Sequence, residues 1–155
     1  MRHSPVMRYD LTPLLAFPFH SPSLVLHPRP PPSQEKCDRL VELILKYDER
    51  TRLAEYQFYR SDGAEEVERT AGLAALDLAA LDARLRGGAD VLHRACAVAA
   101  FAGTGSRRCH GHLLEQLQLK EGGGMVVVRT ALEEFASLLG DGEQKEQLRR
   151  YSAAL

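Results

Sequence analysis

From Ser33 onward the apolar residues recur at helical spacing, and no stretch alternates long enough to suggest a strand. Cys37, Leu40, Val41, Ile44, Leu45 and Tyr47 mark one face, and Leu53, Ala54, Tyr56, Phe58 and Tyr59 resume it after the charged run 48–52. No Pro or Gly intervenes, so the pattern predicts one long helix to about Arg60. Ser33 is placed to cap it, and Glu35 falls in its first turn. Ser61-Asp62-Gly63 is a turn signal. Val67, Ala71, Ala74, Leu78, Leu81 and Leu85 then step by 4, 3, 4, 3, 4. That spacing predicts a single, largely buried helix, weakened at Gly87-Gly88. Ala89–Ala102 is apolar nearly all round and belongs in the middle of a bundle.

Gly103 is expected to cap that helix, with Thr104 or Ser106 opening the next, which presents Leu113, Leu114 and Leu117 and stops at Gly122-Gly123-Gly124. Met125-Val126-Val127-Val128 favours a strand locally. The 3, 4, 3, 4 spacing of Met125, Val128, Leu132, Phe135 and Leu139 outweighs that preference and predicts a helix. Gly140 ends it, and Asp141 with Gln144 has the spacing of a capping box for the last one. The pattern therefore predicts an all-α chain of about six helices, either antiparallel pairs or the end of a helical-repeat stack.

The first 34 residues are of another kind. All eight Pro lie between Pro5 and Pro32, and all twelve Gly lie at or beyond Gly63. Pro at that density leaves no room for a regular element. Leu11–Pro28 carries no charge, but Pro13, Pro18, Pro22 and His20 rule it out as a membrane span. It also lacks the features of a secretory signal. Residues 1–34 are thus expected to be a disordered tail or non-native coding sequence, and 35–155 the helical domain. The net charge of −1 gives no whole-molecule reason to bind nucleic acid or an anionic membrane. With no Trp and 6% aromatics, platforms for stacking bases are scarce. Three widely spaced Cys suggest a reducing compartment.

Cys109-His110-Gly111-His112 is the one cluster of metal-ligand residue types. Neighbouring residues on a helix point apart, and no fourth ligand lies close by in sequence, so no metal site is expected. Cys109 beside a His lacks a nearby orienting Asn or Asp, so no catalytic thiol is expected either. Gly122–Gly124 has neither the Lys nor the preceding strand of a phosphate-binding loop. Glu65, Glu66 and Glu68 suit the start of a helix. The residues therefore nominate no catalytic, cofactor-binding or metal-binding side chain.

A series of short motifs resembles one family. Lys36-Cys37-Asp38-Arg39-Leu40-Val41-Glu42-Leu43, ending in Lys46-Tyr47, is similar to the Asp-Arg-Leu-x-Glu-Leu…Lys-Tyr helix near the C-terminal end of the beta-catenin-like protein 1 family. Glu65-Glu66, Arg84-Leu85-Arg86-Gly87-Gly88 and Val91-Leu92-His93-Arg94-Ala95-Cys96 follow in that family's order. So do Leu114-Glu115-Gln116-Leu117, Val127-Val128-Arg129, Glu133-Glu134-Phe135-Ala136, Leu139-Gly140-Asp141-Gly142 and Glu143-Gln144-Lys145. The resemblance spans roughly residues 35–150, although Thr70–Asp82 is richer in Ala and Leu than the family pattern.

It implies an armadillo-like helical repeat end, the C-terminal fragment of a nuclear, spliceosome-associated scaffold in pre-mRNA splicing. The implied partners are proteins of a Prp-nineteen-type complex, with no enzyme activity, no cofactor, and no nucleic-acid or membrane binding. A fragment of this kind is expected to self-associate through an exposed first helix, at Leu40, Val41, Ile44 and Tyr47. The alternative is a self-contained helical dimerisation bundle unrelated to splicing.

Overall fold

The computed structural model describes residues 33–121 and 124–155. Over those residues the chain is all-α, with seven helices: α1 Gln34–Tyr59, α2 Asp62–Ala71, α3 Leu73–Gly87, α4 Ala89–Gly105, α5 Arg107–Glu121, α6 Val126–Leu138 and α7 Glu143–Ala154. Of the expected tail over 1–34, residues 1–32 lie outside the described residues, and Gln34 already belongs to α1.

The first helix behaves as its spacing predicts in length but not in placement. It runs 26 residues without a break, about 39 Å at 1.5 Å per residue. Its face is not exposed: Val41 and Ile44 are fully buried, and Leu40 and Tyr47 pack against the core. The expectation of an exposed interface there is overturned, because α3, α4 and α5 all pack on α1. The apolar surface a stack neighbour would cover is covered by the chain's own helices.

α4 is the other central element, and its small side chains are the reason. Ala89, Ala95, Ala99 and Ala100 are buried together with Leu92 and Cys96, so neighbouring backbones come close on several sides. The helix does not stop at Gly103 but runs on to Gly105. Ser106 breaks it with an extended backbone, and its carbonyl accepts the His110 N–H at 2.9 Å. Thr104 instead donates back to the Ala100 carbonyl at 2.8 Å, inside α4.

The long stripe from Val67 to Leu85 is not one helix. Gly72, at φ +81°, separates α2 from α3. Its N–H donates to the Glu68 carbonyl, and its own carbonyl accepts from Ala75 and Leu76, so one residue ends one helix and starts the next. Few residues besides glycine tolerate that backbone. The break shifts the phase of the stripe, and α3 is not largely buried. Only Ala80 and Gly87 of α3 are buried, while Leu73 and Leu78 are 67% and 69% exposed.

α6 keeps its predicted face: Met125, Val128 and Leu132 are buried, and Phe135 and Leu139 pack against the core. α7 starts from Gly142, not Asp141, and has no side-chain cap. Asp141 lies outside the helix and accepts from Lys145 Nζ at 3.0 Å, so the expected capping box does not form.

Candidate functional site

The feature richest in interacting polar groups lies where α1, α3 and α6 diverge. A groove of about 540 Å³ opens there, lined by residues that include Glu55 and Tyr59 from α1, Asp77 and Arg84 from α3, and Glu133 and Glu134 from α6. Ala80 and Leu81 also line it, so its lining is part apolar and part carboxylate.

Arg84 organises the wall. Its Nη1 donates to Glu55 Oε2 at 2.8 Å, and its Nε and Nη2 fork onto Glu134 at 3.1 and 2.6 Å. One guanidinium thus ties three helices through a bidentate pair, the geometry for which Arg is suited and Lys is not. Burial tends to lower the Arg84 pKa, but the two carboxylates outweigh it and raise it. Burial likewise tends to push the Glu134 carboxyl up; the nearby His93 ring and Arg84 outweigh that and hold it below the usual range. Arg84 is the firmer of the two contacts. His93 Nε2 lies 3.4 Å from Glu134 Oε2 but makes no hydrogen bond. The His93 ring is 2% exposed and stacks on Phe135, with centroids 5.2 Å apart.

The depressed Glu134 pKa sets the sign of a pH effect. Its contribution to stability is fully present above the ordinary Glu value of about 4.3 and is lost as pH falls through the lower folded value. Acid unfolding of the wild type should therefore include a component that Glu134→Gln removes. The variant should also be less stable at neutral pH, by roughly 1–2 kcal/mol, because the pair is only partly buried. Urea titrations from neutral pH into the acid range would check this. Parallel curves for the two proteins would contradict it.

The Cys109–His112 cluster is dispersed by the fold. Cys109 is buried beside Cys37 of α1. His112 Nε2 pairs with Asp38 Oδ1 at 2.7 Å, also between α5 and α1. His110 lies near Gly103 of α4. Among the described residues no three His, Cys, Asp or Glu side chains are grouped to hold a metal ion. Asp38 is an acid partner for a histidine that local sequence did not supply, because it lies 74 residues upstream. The thiols are packing groups: burial, first of all, raises the Cys37 pKa, with Cys109 adding to it, and burial raises that of Cys96. Of the three Gly expected to form a loop, Gly124 takes φ +55° and the other two lie outside the described residues.

Sequence reading did not single out Arg84 as a hub. Its partners are 29 and 50 residues away, and nothing in local spacing marks them. The Glu133-Glu134 pair off the apolar stripe of α6 was the only available signal.

No family model, curated protein or solved structure matches this chain. Among the described residues no helix is long and apolar enough to cross a membrane.

Proposed function

We propose that this chain is a non-enzymatic protein–protein interaction scaffold, a C-terminal part of a beta-catenin-like, spliceosome-associated protein acting in pre-mRNA splicing in the nucleus. The motif order from Lys36 to Lys145 is the ground for the family. The observation that carries the scaffold reading is the outer face of α3. An all-helical stack that leaves Leu73 and Leu78 mostly in water has apolar surface to offer a partner. Armadillo-like stacks work through such surfaces and need no catalytic side chains.

A tagged full chain incubated in nuclear extract should recover subunits of a Prp-nineteen-type complex above the level captured by an unrelated helical protein of similar size and charge. Equal recovery would remove the splicing assignment.

A second reading, a self-contained bundle that dimerises outside splicing, draws on one observation. α1 is enclosed by the chain's own helices, with Val41 and Ile44 at 0% exposure, so the core does not need an upstream neighbour. Sedimentation equilibrium separates the readings: a tight dimer that captures no splicing subunits favours the second.

A further inference from the structure

We infer that the α2–α3 hairpin, with the groove at its root, is a docking surface for a basic amphipathic segment of a partner protein. This rests on the scaffold reading and adds to it the chemistry of the partner. Three observations converge. The first is charge: over Asp62–Gly87 the two helices carry Asp62, Glu65, Glu66, Glu68, Asp77 and Asp82 against Arg69, Arg84 and Arg86, the last paired with Asp82. The hairpin is net −3, whereas the whole chain is −1, so it is more acidic than the rest of the chain.

The second is apolar exposure in the same place. Leu73 and Leu78 of α3 face water, and Leu53, Tyr56 and Tyr59 at the nearby end of α1 are about half exposed. The fully buried positions of the hairpin are small residues, Ala64 on α2 and Ala80 and Gly87 on α3, while Val67, Leu76, Leu81 and Leu85 are half-buried. The third is shape: Leu81 lines the groove together with Asp77 of α3 and Glu133 of α6. Among the described residues Asp77 has no ion pair, and Glu133 accepts only from Ser152 Oγ. A segment with leucines along one side and arginines flanking them matches both features. A second copy of this chain is a poor occupant, because two hairpins of like charge repel.

The test uses the full chain and a short fluorescent peptide with a helical stripe of Leu flanked by Arg. A sibling peptide carries Glu at every Arg position. Fluorescence anisotropy should show saturable binding of the Arg peptide that weakens with added salt, and none of the Glu peptide. Leu78→Glu and Asp77→Lys, both at exposed positions, should each weaken binding by about tenfold or more. Leu119→Glu, an exposed leucine on α5, should not, and circular dichroism should show all three variants folded as the wild type.

Absence of saturable binding, equal binding of both peptides, or an equal loss in Leu119→Glu would overturn the proposal. So would peptide binding that appears only after residues 1–32 are removed, since the chain's own tail would then be the occupant. Concentration-dependent mass abolished by Leu78→Glu, without peptide binding, would assign the surface to a second copy and also overturn it. The two readings fail separately. Capture of splicing subunits that survives Leu78→Glu keeps the scaffold and discards this surface. Peptide binding without such capture keeps the surface and discards the splicing role.

Discussion

Ile44→Glu is expected to abolish cooperative folding of the helical unit. Ile44 is fully buried at the centre of α1, in one cluster with Leu92, Leu113 and Leu132 from three other helices. The substitution removes a buried aliphatic side chain, worth about 1.5–3 kcal/mol, and puts a carboxyl where no partner lies. Burying that group adds several kcal/mol more, whether it stays charged or takes up a proton. The total is of the order of 5 kcal/mol, against a typical domain stability of roughly 5–15 kcal/mol. The neighbouring Leu43 is 38% exposed, so Leu43→Glu should change stability by less than about 1 kcal/mol. Urea unfolding followed by circular dichroism checks both. A cooperative transition for Ile44→Glu, with the wild-type midpoint, would mean that α1 is not the core helix.

Gly88→Ala should be the next most damaging change for its size. Gly88 joins α3 to α4 at φ +100°. Backbone of that kind strains any residue with a Cβ by about 1–3 kcal/mol. Here a Cβ would also stand 2.6 Å from two ring carbons of Tyr47. That ring cannot swing away freely, because it packs against the core and Arg50 lies over it at 5.2 Å. The clash adds roughly 1–3 kcal/mol. Together these predict a fall in midpoint of roughly 10 °C for a unit of this size. The two causes can be separated: Tyr47→Leu in the same chain should relieve the clash but not the backbone strain. A Gly88→Ala protein with an unchanged midpoint would show that the turn adopts another backbone.

The expected helices differ from those found in ways that have local physical causes. Apolar spacing placed α1 and α6 to within about a residue and the start of α4 at Ala89, but α4 runs past the expected cap at Gly103 to Gly105. The spacing merged α2 and α3 because a step of 4, 3, 4 passes through Gly72 unnoticed. A glycine costs a helix only about 1 kcal/mol, so its presence does not announce a break; its φ of +81° does. Asp141 and Gln144 had the spacing of a capping box, but the helix starts beyond Asp141, whose carboxylate pairs with Lys145 instead.

Helical periodicity was enough for the all-α class and the apolar faces of α1, α4 and α6, and composition for the acidic run Glu65, Glu66 and Glu68 at a helix start. These are properties of neighbouring residues, set by helix periodicity and by the cost of burying charge, and they need no knowledge of what packs against what. Tertiary structure alone decided that the Leu40, Val41, Ile44 and Tyr47 face of α1 is covered, and that Leu73 and Leu78 face water. It also decided that Arg84 joins Glu55 to Glu134 and Asp38 meets His112. Each of these depends on which helices meet, and at what phase. A periodic stripe says that a face is apolar; only packing says whether another helix of the same chain covers it.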